Sequence, residues 1–250
     1  MSSIKLTSIS DISAQVLGLT DKHIHFFEHA TTQGIEKPAN SKTLGIHQLM
    51  LSDFQALVRS AAKADIEIKI ASGFRSFERQ LLIWNNKFLG KISIKNIDGD
   101  PINISKLNDF EIVEAILLFS ALPGASRHHW GSDIDIYAAN LLDGRTLQLE
   151  PWEYGPSGPM AKLSTWLADN AGKYGFYLPY DCFRGGIAAE PWHLSYAPLA
   201  KEYQSAISVE LLQQCLLQTD ILGKKAIIEN LPEILNRYIN NVNTGNLLIK

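Results

Sequence analysis

The residues with the most capacity for chemistry fall in two short stretches. Ser126-Arg-His-His-Trp-Gly-Ser-Asp-Ile-Asp135 gathers two imidazoles and two carboxylates around a glycine, and Glu190-Pro-Trp-His193 adds one more of each. A catalytic zinc takes three protein ligands, and two His with one carboxylate is such a set; the fourth position is left to water. Gly131 can adopt positive φ, so the chain can reverse between His128 and Asp135 and bring both toward one point, where His193 completes the set. In an extended segment Asp133 and Asp135 point to the same face, so spacing leaves either aspartate as the third ligand. Cys182 and Cys215, the two cysteines, lack the close spacing of a thiolate site, which assigns any metal to His and carboxylate.

Other residues suit the remaining chemical tasks. Pro191 holds Glu190 extended, and a straight strand would send Glu190 and His193 to opposite faces, so the segment must turn or bulge for both to meet the metal. Glu190 would then take a proton from the water and deliver it to a leaving amine. Arg75, within Ser72-Gly-Phe-Arg-Ser76, carries a planar donor fork suited to a carboxylate or a developing oxyanion. Ser126 can add a hydroxyl donor to a peptide substrate. Taken singly, an Arg is most often a solvated surface charge and a His near Trp a hydrogen-bonded core residue; the joint occurrence carries the functional reading. His129 and Trp130 are assigned to packing or pocket lining, and Trp192 to supporting His193. A competing cluster, His23-Ile-His25-Phe-Phe-Glu-His29, would put His25 and His29 on one helical face, but its two Phe fit an amphipathic segment equally well.

The elements that must position these groups can be read in part. Phe54, Leu57, Val58, Ala61 and Ala62 recur at helical spacing behind Ser52 and Asp53, predicting a helix that ends near Ala64. Residues 66–70 alternate apolar and polar as a half-buried strand leading into Ser72-Gly73, and Ser76 can cap a second helix carrying Leu81, Leu82, Trp84 and Phe88. Residues 91–107, with Asp98-Gly99-Asp100-Pro101, form an excursion with turn chemistry. A helix over 109–121 stops at Pro123-Gly124, residues 134–137 and 174–180 read as strands, and 160–171 as a helix. Residues 34–41 read as loop, and 199–243 as mostly helical with Pro232 in a first turn.

The chain has 250 residues and a mass of 27.8 kDa, enough for one sizeable core with helical elaborations. A formal charge of −3 and a pI near 6.2 show no basic footprint, so nucleic acid is excluded as an expected partner. The N-terminal residues lack the pattern of a secretory signal, and no run approaches a membrane span. As written, the sequence is expected to be cytoplasmic; removal of a leader would instead place it in the periplasm or cell wall. The sequence sets no oligomeric state.

Ser126, His128, Gly131 and Asp135, followed by Glu190, Trp192 and His193, with Ser72 to Ser76 and Gln80 upstream, resemble the VanY-type D-alanyl-D-alanine carboxypeptidases. These belong to a wider zinc peptidase group that includes lysostaphin-type enzymes and the hedgehog signalling domain. The likeness spans roughly residues 45 to 200 and rests on both motifs occurring in order. It implies one catalytic zinc held by His128, Asp135 and His193, which selects Asp135 over Asp133. It also implies Glu190 as the base, Arg75 on the substrate carbonyl oxygen or terminal carboxylate, and Ser126 and Gln80 lining the pocket. Asp133 departs from the family pattern, where many members carry a small or apolar residue. The implied fold is α+β, a small antiparallel sheet carrying the zinc site with helices around it, divided here into a catalytic domain over 1–204 and a helical extension over 205–250. The implied substrate is a peptidoglycan stem peptide or precursor, losing its last D-amino acid. Two rivals are a zinc endopeptidase cutting within such peptides and a catalytically silent zinc-containing binding module.

Overall fold

The computed structural model describes residues 9–27 and 44–245. A short helix α1 (Asp11–Val16) leads to β1 (Ile24–Phe26) and β2 (Gly45–His47), which pair antiparallel. Then come α2 (Leu51–Ala62), β3 (Ile68–Ser72), α3 (Phe77–Phe88), α4 (Asp109–Leu117), β4 (Asp133–Ala138), α5 (Pro151–Tyr154), α6 (Ala161–Asn170), β5 (Phe176–Tyr177) and β6 (His193–Tyr196). The chain continues through α7 (Ala197–Ala206), α8 (Val209–Leu217), α9 (Lys224–Glu229) and α10 (Leu231–Ile234). The central sheet is antiparallel throughout, in the order β3-β4-β6-β5, so the fold is α+β with helices around a small sheet.

Local chemistry explains most boundaries. Ser76 caps α3 by accepting from Arg79 N–H, and Asn108 with Glu111 forms a reciprocal capping box on α4. The strand expected over 66–70 begins only at Ile68, because Ile66 N–H is bonded to Ala61 O at the end of α2. The helix expected to reach residue 121 stops at Leu117, and the turn that follows aims Ser120 and Ala121 at α3, where they bond Lys87 and Gln80. The strand expected over 174–180 shrinks to two residues, since Pro179 has no N–H with which to extend the ladder. The excursion over 91–107 closes on one bridge between Lys95 and Pro101. The loop assigned to 34–41 lies outside the described residues, as does His29.

Two apolar clusters flank the site. One lies between the sheet and helices α2 and α6, where Leu57, Ile66, Ile134, Ile136, Leu163 and Leu194 are packed together. Ile134 and Ile136 are both fully buried there, and each such side chain contributes about 1.5–3 kcal/mol. The other joins α3 and α4 to the C-terminal helices through Phe77, Trp84, Val113, Leu212, Leu216 and Ile227. With the isoleucines committed to the first cluster, strand alternation turns Asp133 and Asp135 to the other face of β4.

Candidate metal centre

His128 sits in a single helical turn, Arg127–Trp130, that ends at Gly131 with φ 69°. A side chain at Gly131 would meet Ile24 Cδ1 at 2.3 Å and lie 3.1 Å from the His47 backbone nitrogen, so both the conformation and the close approach require glycine. The turn is fastened to the loop before α3 by three bonds. Arg75 N–H donates to His128 O at 3.0 Å, His128 Nδ1–H to Gly73 O at 3.0 Å, and His129 Nδ1–H to Arg75 O at 2.6 Å. Because a carbonyl only accepts, the Gly73 contact fixes the proton of His128 on Nδ1 and leaves the Nε2 lone pair free. That Nε2 lies 3.4 Å from Asp135 Oδ2.

Asp135 and His193 are register partners on β4 and β6. His193 Nδ1 is 3.2 Å from Asp135 Oδ1, and neither atom has a hydrogen-bond partner although both are buried. His128, Asp135 and His193 each offer one ligand atom, all within 4.8 Å of one another, and among the described residues they form the one such group of three. Ligands about 2.0–2.1 Å from a shared tetrahedral ion stand about 3.3 Å apart, close to the two separations from Asp135. Two imidazoles and a carboxylate, with orphaned donor atoms converging, fit zinc.

On its other side His193 Nε2 is 3.0 Å from Asp133 Oδ1, so the imidazole is clamped between two aspartates. Asp133 is fully buried and also receives Arg127 Nε–H at 2.7 Å and the hydroxyls of Ser132 and Ser195, each at 3.2 Å. The Arg127 guanidinium is completed by Gln204 and the Tyr177 hydroxyl. Burial alone would raise the Asp133 pKa, but Arg127 and His193 bring it below the ordinary carboxylate range. For Asp135, burial is likewise overridden by His128 and His193, and it too is lowered. Burial would lower His193, yet Asp133, Asp135 and Glu190 raise it well above the usual imidazole value. The centre therefore has a surplus of negative charge facing His193, which a cation would balance.

Glu190 reaches this point through the turn that its spacing required. His193 N–H donates to Glu190 O at 3.0 Å, closing the turn at Pro191-Trp192, and Glu190 Oε2 lies 3.4 Å from His193 Nδ1. A cleft of about 300 Å³ opens over the group, lined by Arg75, Ser126, Tyr180, Glu190 and Trp192 among others. Arg75 donates to Gln80 Oε1 at 2.9 Å and Ser72 Oγ at 3.1 Å. Burial lowers the Arg75 pKa, opposed by Asp135 and Glu190 close by.

The cleft thus brings together His128, Asp135, His193, Glu190, Arg75 and Ser126. Gln80 stands apart: it is fully buried and lies behind the cleft wall, bonded to Arg75 and to Ala121 O, so it reaches the cleft only through Arg75. His129 and Trp130 are both fully buried, and the Arg127 guanidinium stacks 4.3 Å from the Trp130 ring. His25 is exposed on β1, away from the centre. Sequence reasoning missed Arg127, whose signal was its place inside the motif beside an unexplained Asp133. It also missed Tyr180, whose ring packs edge-on 4.9 Å from His193 and which no local pattern marks, and Lys87 in the cleft wall.

An α+β fold that gathers two imidazoles and a carboxylate beside a glutamate in an open cleft defines a protein built around a candidate metal centre. The chain belongs to the VanY family, D-alanyl-D-alanine carboxypeptidases, whose sequence pattern matches residues 43–199. It is 41% identical over 121 residues to an uncharacterised protein of Haemophilus influenzae, covering 47% of this chain and 92% of that protein. It is 29% identical over 140 residues to the Bacillus subtilis protein named "Putative carboxypeptidase YodJ", covering 55% of this chain and 41% of the relative. Similar solved structures include the LdcB LD-carboxypeptidase, at 22% identity and TM-score 0.49, covering 75% of this chain and 79% of that one. Another is VanYB in complex with D-alanine-D-alanine, at 22% identity and TM-score 0.46, covering 76% and 92%. Among the described residues, no helix is long and apolar enough to cross a membrane.

Proposed function

We propose that the chain is a zinc-dependent carboxypeptidase that removes the terminal D-alanine of peptidoglycan stem peptides or their precursors. The observation that carries this reading is the convergence of His128, Asp135 and His193 within 4.8 Å, with the Glu190 carboxylate at their edge and a cleft above. His128, Asp135 and His193 would hold one ion. When bound, it supplies Lewis-acid chemistry, acidifying a water and polarising a peptide carbonyl. Glu190 takes the proton released by the attacking water and returns it to the departing amine. Arg75, always charged and steadied by Gln80 and Ser72, donates to the carbonyl oxygen as charge develops on it. Gln80 is then a positioning residue, and Ser126 offers its hydroxyl to the peptide from the cleft wall. Asp133 orients His193, with Arg127 keeping that aspartate ionised. Membership of the VanY family supports D-alanine as the residue removed.

Metal analysis of the purified protein, followed by mass analysis of pentapeptide and tetrapeptide digests, tests the proposal. Zinc content with release of single D-alanine is expected; internal fragments would replace the carboxypeptidase by an endopeptidase, and intact peptides beside bound zinc would remove the activity. Glu190→Gln is expected to retain zinc and lose about 10²–10⁴-fold in kcat, the usual worth of a positioned base. Full activity in that variant excludes Glu190 from proton transfer.

A further inference from the structure

Among the described residues, two cations of the cleft wall have no acidic group within ion-pair distance. Lys95, at the mouth, is paired with Glu150. Arg75 and Lys87 are not: Arg75 bonds only neutral groups, and the Lys87 ammonium donates to Ser120 Oγ at 2.8 Å. Their placement follows from α3, which presents Gln80 and Lys87 on one face about two turns apart. Lysine side chains on a helix lean toward its N-terminus, so Lys87 reaches back toward Gln80. The two side chains end on consecutive residues, with Gln80 Nε2 donating to Ala121 O at 2.6 Å and Lys87 to Ser120. Gln80 also holds Arg75, so both cations are fastened, directly or through Gln80, to the same 120–121 segment, and both line the cleft. Arg75 is at the reacting end, beside Asp135 and Glu190.

We infer that Lys87 recognises the free C-terminal carboxylate of the substrate and so restricts cleavage to the last peptide bond, leaving Arg75 for the carbonyl oxygen. This rests on the carboxypeptidase reading above and adds its specificity determinant. Both cations line one cleft, with Arg75 near Asp135 and Glu190 and Lys87 on the Ser120 side, so the two can serve different oxygens of one bound peptide terminus. Burial lowers the Lys87 pKa to about 8, with Glu190 opposing and Arg75 adding repulsion, and an incoming carboxylate would give the Lys87 ammonium a direct acidic partner in place of the neutral Ser120 hydroxyl. A structural rival exists, because Ser120 lies just past the end of α4, where a cation complements the helix dipole. Stability alone would not make Lys87 sense the charge of a peptide terminus.

The test compares the zinc-loaded protein and its Lys87→Met variant on an N-acetylated pentapeptide ending in D-Ala-D-Ala, as the free acid and as the C-terminal amide. The unsubstituted protein is expected to favour the acid by about 10–100-fold in kcat/KM, the usual worth of one charged hydrogen bond. Lys87→Met should lose that preference through KM rather than kcat, and Lys87→Arg should regain most of it. An unchanged acid-to-amide ratio in Lys87→Met overturns the inference. Calorimetric binding of both peptides to zinc-loaded Glu190→Gln, with and without Lys87→Met, separates recognition from turnover. A Lys87-dependent preference for the acid in binding, with no hydrolysis by the unsubstituted protein, sinks the enzymatic proposal and keeps only the recognition of the carboxylate by Lys87. Equal hydrolysis of acid and amide by the unsubstituted protein sinks that recognition and leaves a zinc peptidase.

Discussion

At the scale of single residues, Asp133 shows how a side chain outside the candidate metal group can orient one within it. It occupies Nε2 of His193 and thereby aims Nδ1 at Asp135, and it keeps that aim because Arg127 and two serine hydroxyls saturate its oxygens. Outer partners of this kind carry about 10–100-fold in metal affinity, so Asp133→Asn is expected to weaken zinc binding by that factor in competition with a chromophoric chelator. The substitution also strands a buried guanidinium, at a cost of about 3–5 kcal/mol. Pairing it with Arg127→Met should restore stability without restoring affinity, which separates the two effects. An affinity within twofold of the unsubstituted protein would remove Asp133 from this role. The two imidazoles and Glu190, which the fold brings to one cleft, were legible as candidates from their types and spacing, whereas the choice of Asp135 over Asp133 came from the family resemblance. The orienting role of Asp133 was not legible: its partner Arg127 lies six positions before it, and only the folded turn shows that the two side chains face each other.

At the scale of elements, the strands and helices with strong periodicity or a capping residue were read correctly in kind, such as α2, α3 with Ser76, and β4. Their ends were set by tertiary bonds that no local pattern records. The shortened α4 is the clearest case, since the lost residues serve to hold Gln80 and Lys87. The turn at Gly131 belongs to this scale too, because it joins the His128 segment to β4 and offers its carbonyl to His47 N–H at 2.8 Å. Gly131→Ala places a side chain at φ 69°, costing about 1–2 kcal/mol before the contact with Ile24 is counted. A fall in Tm of about 2–8 °C is expected by calorimetry for a chain of this size. An unshifted Tm would show that the turn relaxes freely.

For the whole molecule, stability should depend on pH through histidines held neutral away from the cleft. His47 Nδ1 accepts Leu49 N–H at 3.1 Å, so its Nε2–H donates to the Tyr203 hydroxyl at 2.8 Å, which passes its own proton toward Gln15 Oε1. Burial lowers its pKa to about 4, with His23 adding repulsion. Between the ordinary value of 6.5 and about 4 the unfolded chain binds a proton that the fold refuses, so stability rises with pH across this window and is lost as pH falls through it. His23, also lowered, and His129, lowered to about 3, add slopes of the same sign. Denaturant titrations from pH 4 to 7 should therefore show a slope that His47→Gln makes shallower by up to one proton. An equal slope in both proteins would mean that this imidazole is not the source.

The pairing of Asp135 with His193 across β4 and β6 carries a further consequence. Sliding β6 by one position would turn Leu194 out of its apolar cluster and push the imidazole into it, since a strand exchanges faces at every step. A one-residue misalignment therefore has no silent form. The same error that breaks the core also separates the candidate metal group, so the folding of this sheet proofreads the geometry of the cleft.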